Sequence, residues 1–183
     1  MSVTHSVLAH ELSPGQTRLV AAIIYANEVY PGAVFKTLVE RCRAMGLSLV
    51  GVLQHQAFAA GDRRCDVVLE DLATGHRTAL FENRGADARG CRLDEAALAE
   101  ATARIEGSLE QAPQLLILNK FGKVECEGGG LRDLIASAID RGIPVAIGVP
   151  KRNIDAWRSF AGEFAIELTD DAHEVDGWLE GLR

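Results

Sequence analysis

Short apolar runs alternate with amphipathic stretches along most of the chain. Runs rich in aliphatic and β-branched residues predict buried strands at 17–25, 47–53, 115–118, 143–149 and 164–168. Apolar residues spaced three and four apart predict helices at 32–45, 95–110, 131–140, 153–160 and 172–182. Strands that alternate with helices in this way form a parallel sheet with helices on both faces. The pattern therefore predicts a three-layer α/β fold with a parallel sheet of about five strands.

One stretch, at about 54–92, departs from this pattern. Two short segments, 66–71 and 76–81, flank the turn Ala73-Thr74-Gly75, which is typical of a β-hairpin. The residues that follow, 83–92, contain two glycines and predict a long loop. Because a chain of 183 residues is the size of one domain, we expect a single domain over 1–183 with a β-hairpin insert at about 54–92.

The charge balance narrows the range of partners. The chain has 19 Lys and Arg against 26 Asp and Glu, a net charge of -7, which disfavours nucleic acids and anionic membranes. No apolar run reaches the length of about 20 residues that a membrane-spanning helix needs. We therefore expect a protein that binds neither nucleic acid nor membrane. Four cysteines that are interpreted as reduced thiols, without a secretion signal, predict a cytoplasmic location. Parallel sheet folds of this kind often dimerise, so a homodimer is expected as well.

The loop after the first strand stands where such folds bind phosphate. A phosphate-binding loop has the pattern GxxxxGK[ST], in which glycines expose backbone N–H groups and Lys neutralises the phosphates. Here the loop has Asn27 at the first glycine and Gly32 at the second, but Ala33 and Val34 follow instead of Lys and Thr. Two interpretations stay open: an ordinary turn into a helix, or a helix start that still offers N–H groups to an anion, with Asn27 and Gly32 at the site.

The loop after the third predicted strand carries the second candidate group. Asn119 and Lys120 follow the apolar run 115–118, with Lys123 and Glu125 close behind. In nucleoside triphosphatases an Asp that helps to hold Mg²⁺ ends this strand, often followed by a Glu that activates water. An amide and an ammonium group can do neither. The two lysines either face an anion directly or are ordinary solvated residues; Glu125 could pair with one of them.

The four cysteines form no CxxC pair, so they give no local zinc signature. Cys91 precedes Arg92, a cationic neighbour that would lower the pKa of an exposed thiol. Together with Cys65 and His55 it could form a soft metal or oxo-metal site in the insert. The alternative is that all three residues are structural. Arg92 itself suits a tetrahedral oxyanion, because its guanidinium donates two parallel hydrogen bonds.

Two motifs carry a family resemblance. The stretches Asn119-Lys120-Phe121-Gly122-Lys123-Val124-Glu125 and Gly90-Cys91-Arg92-Leu93-Asp94 resemble an uncharacterised bacterial family, defined as a domain of unknown function, over nearly the whole chain. Its members are often encoded near molybdate-transport or nitrogen-fixation genes, which implies molybdenum. More distantly, the layout is similar to the thermophilic nucleoside triphosphatase family of the P-loop class, whose Asp-Glu-x-Gly-x-x-Glu motif is kept only at Gly122 and Glu125.

These observations lead to three hypotheses. The first is a degenerate P-loop-like protein that binds an oxyanion without hydrolysis, where the family resemblance implies molybdate or tungstate and a part in molybdenum handling. The second is a nucleotide-binding protein or weak nucleoside triphosphatase. The third is an interaction module that docks through the insert. We expect a small anionic ligand, no catalytic residues, and an anion site drawn from Asn27, Gly32, Arg92, Asn119, Lys120, Lys123 and Glu125.

Overall fold

The computed structural model describes residues 18–26, 29–56, 67–81 and 92–183. Its strands are β1 (Val20–Tyr25), β2 (Leu49–Gln56), β3 (Val67–Asp71), β4 (Arg77–Ala79), β5 (Leu115–Lys120), β6 (Val145–Pro150) and β7 (Ala165–Thr169). Its α-helices are α1 (Gly32–Ala44), α2 (Glu95–Leu109), α3 (Lys123–Cys126), α4 (Arg132–Asp140), α5 (Ile154–Ala161) and α6 (Ala172–Gly181). The predicted strands and helices are confirmed, except that α3 lies in a stretch expected to be loop.

The sheet in the described residues has seven strands in the order β4-β3-β2-β5-β6-β1-β7. The five strands from β2 to β7 in this order are parallel, as predicted. The predicted hairpin, formed by β3 and β4, is antiparallel and pairs with β2, so it extends the same sheet. Asp71 closes its turn by accepting hydrogen bonds from the backbone N–H groups of Ala73 and Thr74.

Helices cover both faces of the sheet, which gives the predicted three layers. Alternate residues of each central strand enter opposite cores: Val20 and Ala22 of β1 belong to one, Ala21 and Ile23 to the other. The first core includes side chains of α2, α4 and α5, and the second includes those of α1 and α6. Trp157 of α5 and Phe35 of α1 are among the largest fully buried side chains.

The order of the strands determines where a ligand can enter. β1 leads into α1 on one face, whereas its neighbour β6 leads into α5 on the other. Two neighbouring parallel strands whose helices leave toward opposite faces open a crevice beyond their carboxyl ends. The residues that border this crevice are those after β1, after β6 and after the adjacent strand β5.

Candidate functional site

Aromatic side chains fill the region between β1 and the start of α1. Tyr30 stacks on Phe35 with ring centroids 5.4 Å apart, and it meets Tyr25 edge to face at 5.9 Å. The hydroxyl of Tyr30 is buried and has no hydrogen-bond partner in the described residues. Burial raises the pKa of Tyr30, and the neighbouring Tyr25 raises it further. Both phenols therefore stay neutral, and the loop after β1 presents no charge of its own from these side chains.

A glycine in β6 allows the aromatic group to pack this closely. A Cβ atom at Gly148 would lie 2.8 Å from the Asn119 carbonyl oxygen and 3.2 Å from Cε1 of Tyr25. Both distances are too short for an ordinary contact, so an alanine could not fit without displacing the backbone of β5. Gly148 therefore brings the ends of β1 and β5 together over β6.

The first turn of α1 offers little free backbone. The N–H of Gly32 donates to the carbonyl of Tyr30 at 2.8 Å, and those of Val34 and Phe35 both donate to the carbonyl of Pro31. Within the described part of the chain, the N–H of Ala33 donates to no acceptor. A glycine-rich phosphate loop exposes several N–H groups in a row, whereas this turn exposes one.

Charged and polar groups gather instead where β5 ends. Asn119 is 8% exposed, and its side-chain oxygen has no hydrogen-bond partner among the described residues. Lys120 follows it and is exposed at the surface. Partial removal of its amine from water lowers the pKa of Lys120. The positive charge of Arg152 lowers this pKa further, whereas the negative charge of Glu125 raises it.

Arg152 joins this group from the turn after β6. Burial raises the pKa of Tyr25 to about 12, and the positive charge of Arg152 opposes that rise. The same charge acts on Lys120. The charge of Arg152 thus acts on one residue at the end of β1 and on another at the end of β5, the two strands that flank β6.

Glu125 points inward and braces the loop after β5. One carboxylate oxygen accepts from the N–H of Gly122 at 2.8 Å, and the other accepts from the N–H of Leu131 at 3.0 Å. Gly130 has φ 61°, and a Cβ atom there would overlap the carboxylate. The buried Glu125 therefore connects the residue before α3 with the residue before α4, a role that the spacing along the chain did not predict.

The other predicted anion-site residues lie in different surroundings. Lys123 points outward: its side chain is 87% exposed and its amine lies 3.7 Å from the Glu127 carboxylate. Gly32 begins α1, as expected. Arg92 is exposed and lines a separate cleft of about 280 Å³ at the start of α2, where Asp94 caps the helix. Asn27 lies outside the described residues.

The predicted metal site is only partly within the described residues. Cys65 and Cys91 lie outside them. Nε2 of His55, at the end of β2, lies 2.9 Å from a carboxylate oxygen of Glu70. Among the residues that the structure describes, no three His, Cys, Asp or Glu side chains are arranged to hold a metal. The end of β5 does not suit Mg²⁺ either, because it carries an amide and an ammonium group.

The sequence analysis did not name Tyr30 or Arg152 as candidate site residues. Arg152 had no usable signal, since Lys and Arg after a buried strand are common and usually solvated. Tyr30 had one: an aromatic residue directly before Pro31-Gly32, where a phosphate-binding loop needs small residues.

No helix in the described part of the chain is both long enough and apolar enough to cross a membrane.

Comparisons with known proteins agree with this architecture. The crystal structure of THEP1 from Aquifex aeolicus aligns with a TM-score of 0.62 over 90% of this chain and 96% of its own, at 18% identity. The solution structure of a human cancer-related nucleoside triphosphatase aligns with a TM-score of 0.67 over 91% and 97%, at 12% identity. These likenesses confirm the predicted P-loop NTPase-like fold.

Sequence comparison gives a relative and a family. The molybdenum import ATP-binding protein ModC 2 of Bradyrhizobium diazoefficiens is 30% identical over 168 residues, which are 92% of this chain and 18% of that protein. The chain thus spans about a fifth of the relative's length. Residues 20–178 match the family described as "Protein of unknown function (DUF2478)", and the chain belongs to that family.

Proposed function

We propose that the protein binds a tetrahedral oxyanion at the carboxyl ends of β1, β5 and β6 and does not hydrolyse a nucleoside triphosphate there. The observation that carries this proposal is the exposed ammonium group of Lys120 at the carboxyl end of β5, where the charge of Arg152 also acts on it. Desolvation lowers the pKa of Lys120 most, and the positive charge of Arg152 lowers it further. A bound anion next to Lys120 would stabilise its ammonium form and accept a charge-assisted hydrogen bond from it.

Asn119 supports the same proposal and argues against hydrolysis. Its buried amide oxygen lacks a donor among the described residues, and leaving such a group unpaired is unfavourable by about 1–3 kcal/mol. A water molecule bound together with the ligand would supply the missing donor. A neutral amide next to an ammonium group cannot replace the acidic residues that hold Mg²⁺ and activate water.

The identity of the oxyanion is the finer part of the proposal. The name of the ModC 2 relative contains molybdenum import, in agreement with the gene neighbourhood that the family resemblance implies. Molybdate and tungstate are tetrahedral dianions, like sulfate, so charge alone does not separate them. We propose molybdate or tungstate as the ligand, with the residues around Lys120 as the site.

Nucleotide binding is the second candidate, since the same relative is named an ATP-binding protein and the fold is P-loop NTPase-like. In this case the phosphates of a nucleotide would occupy the Lys120 site. Magnesium-dependent phosphate release that is lost in Lys120→Ala would favour the second candidate over the first.

Calorimetric titration with molybdate, tungstate, sulfate, phosphate and ATP tests both candidates. We expect molybdate or tungstate to bind, Lys120→Ala and Arg152→Ala to weaken binding by about tenfold or more, and no phosphate release from ATP. Lys151→Ala is the matched control, because Lys151 is an exposed cation directly before Arg152. Absence of binding by every anion, or equal losses in Lys120→Ala and Lys151→Ala, would contradict the proposal.

A further inference from the structure

A side-chain hydrogen bond joins the loops that follow β5 and β6. Nδ2 of Asn153 donates to the carbonyl oxygen of Phe121 at 2.8 Å. Phe121 comes directly after Lys120 in the chain, and Asn153 comes directly after Arg152. Because consecutive Cα atoms are only about 3.8 Å apart, the bond connects the two loops one residue away from each of these cations. It therefore lies where it can determine how Arg152 is placed relative to Lys120.

The Phe121 end of this bond is fixed by its surroundings. Phe121 is fully buried, and its backbone N–H donates to the carbonyl oxygen of Gly148 in β6 at 2.8 Å. Its ring meets Trp157 edge to face with centroids 5.2 Å apart and stacks on Phe160 at 5.8 Å. Since its N–H is bonded and its ring packs against two aromatic neighbours, Phe121 presents its carbonyl oxygen to Asn153 in a fixed position.

The Asn153 end lies in a turn that has no buried residue. Lys151–Asn153 form a single 3₁₀ turn, and none of the three is buried. Asn153 also occupies the N-cap position of α5, where an Asn side chain usually accepts a hydrogen bond from the first turn of the helix. Within the described residues the side chain makes no such capping bond and donates to Phe121 instead. At this position the chain thus has a link between two loops in place of a helix cap.

The end of β5 to which Asn153 binds is irregular. The register between β5 and β6 shifts between Leu118 and Lys120, so Asn119 is an extra residue in β5. A bulge of this kind redirects the side chains around it and is common next to active sites. The buried amide oxygen of Asn119, which has no partner among the described residues, lies at this bulge. The bond from Asn153 to Phe121 follows the bulge directly and fixes the strand end that carries these polar groups.

We infer that Asn153 is a positioning residue of the oxyanion site: its hydrogen bond to Phe121 fixes the turn that carries Arg152 relative to the strand end that carries Lys120. This role rests on the proposed function, because it concerns the site that Lys120 forms. Lys120 is the residue that touches the anion, whereas Asn153 acts through Arg152.

NMR titration of the Lys120 amine in the ligand-free protein tests this role. Arg152 is the second cause, after desolvation, of the lowered pKa of Lys120, so Arg152→Ala should raise this pKa by about 0.3 or more. Asn153→Ser should raise it as well, although neither Asn nor Ser is charged, because the released turn no longer holds Arg152 in place. Serine is a good N-cap residue and is too short to reach Phe121, so α5 should stay folded.

The double variant Arg152→Ala/Asn153→Ser distinguishes positioning from a purely structural role. If Asn153 acts through Arg152, Asn153→Ser should leave the pKa of Lys120 unchanged once Arg152 has been removed. Ser159→Ala is the matched control, because it deletes a side-chain hydrogen bond within α5, from Ser159 to the carbonyl oxygen of Asp155. It should leave the pKa of Lys120 at its value in the unaltered protein.

Calorimetry with molybdate gives a second readout. We expect Asn153→Ser to weaken molybdate binding about threefold or more and Ser159→Ala to change it less than twofold. An unchanged Lys120 pKa in Asn153→Ser, or the same shift with and without Arg152, would overturn the role of Asn153. No binding of any oxyanion by the unaltered protein would instead contradict the proposed function, and the pKa measurements, made without ligand, still decide whether Asn153 positions Arg152.

Discussion

The loops after β1 and β5 leave the same edge of the sheet but differ in their side chains, which are aromatic around the first loop and charged in the second. The first is closed by Tyr25, Tyr30 and Phe35, packed ring against ring. The second holds Lys120 at the surface. It also contains the buried carboxylate of Glu125, whose two oxygens each accept a hydrogen bond from a backbone N–H group. In a P-loop protein the first loop binds the phosphates and the second holds the metal. In this chain aromatic side chains pack around the first loop, and the second carries an exposed ammonium group and a buried carboxylate.

This difference indicates which part of the crevice is suited to bind an anion. The described residues of the β1 loop offer neutral phenols and one free N–H, which attract negative charge weakly. The proposed anion site therefore draws on side chains after β5 and β6. The comparison also assigns separate tasks within the β5 loop: Glu125 maintains its shape, and Lys120 provides its charge. Each of these statements can be broken by a substitution.

The largest effect is expected at Glu125. Glu125→Ala removes two hydrogen bonds to a buried carboxylate and leaves two N–H groups without an acceptor, so the free energy of unfolding should fall by about 3 kcal/mol. Denaturant unfolding measures this. Glu127→Ala is the control, since its ion pair is exposed, and should cost less than about 0.5 kcal/mol. If both variants lose the same amount, Glu125 does not brace the loop.

The two lysines of the β5 loop should separate in anion binding. Lys120→Ala is expected to weaken oxyanion affinity about tenfold, whereas Lys123→Ala should change it less than threefold, because the Lys123 amine points outward toward Glu127. Calorimetry on the two variants side by side decides this. A larger loss at Lys123 would move the site from the crevice to the outer face of α3.

The aromatic loop makes a prediction of opposite sign. Tyr30→Phe keeps the stack on Phe35 and removes a buried hydroxyl that has no partner in the described residues. The free energy of unfolding should therefore rise by about 1 kcal/mol. A decrease, measured by thermal or denaturant unfolding, would show that the hydroxyl is bonded and that the loop is less purely apolar than the comparison claims.

The smallest effect concerns pH. The folded state lowers the pKa of Lys120, so the charged amine disfavours folding below that pKa, and the penalty disappears as pH rises through it toward the ordinary lysine value. Stability should therefore rise slightly with pH over this alkaline range, and Lys120→Met should flatten the rise. Because Lys120 is exposed, the total gain in stability across this alkaline range should stay below about 0.5 kcal/mol. Stability that falls with pH because of Lys120 would contradict the lowered pKa.

Periodicity predicted most of the fold because each strand and helix carries its own signal. The buried runs at 115–118 and 143–149 became β5 and β6, and Asp94 caps α2 as its position suggested. The hairpin was predicted, but its pairing with β2 was not, since an edge pairing depends on backbone groups and leaves no residue pattern. The short helix α3 was missed because four residues show no period.

The site was harder to predict than the fold, since it depends on directions of side chains. Asn119, Lys120 and Gly32 were named from their places at strand and helix ends, and these places follow from topology. Whether Glu125 turns inward and Lys123 outward is decided by a half-turn of α3, which no sequence pattern encodes. Arg152 joins Lys120 only because β6 lies next to β5 in the sheet.

The central proposal is that Lys120 binds an oxyanion at the carboxyl end of β5, where the charge of Arg152 also acts. Its most direct test is NMR titration of the Lys120 side-chain amine, assigned with Lys120→Arg, without ligand and with saturating molybdate. The account predicts a pKa below the ordinary lysine value in the free protein that rises when the anion binds, because a neighbouring negative charge stabilises the ammonium form. A pKa at the ordinary value that neither molybdate nor any other oxyanion shifts would contradict it.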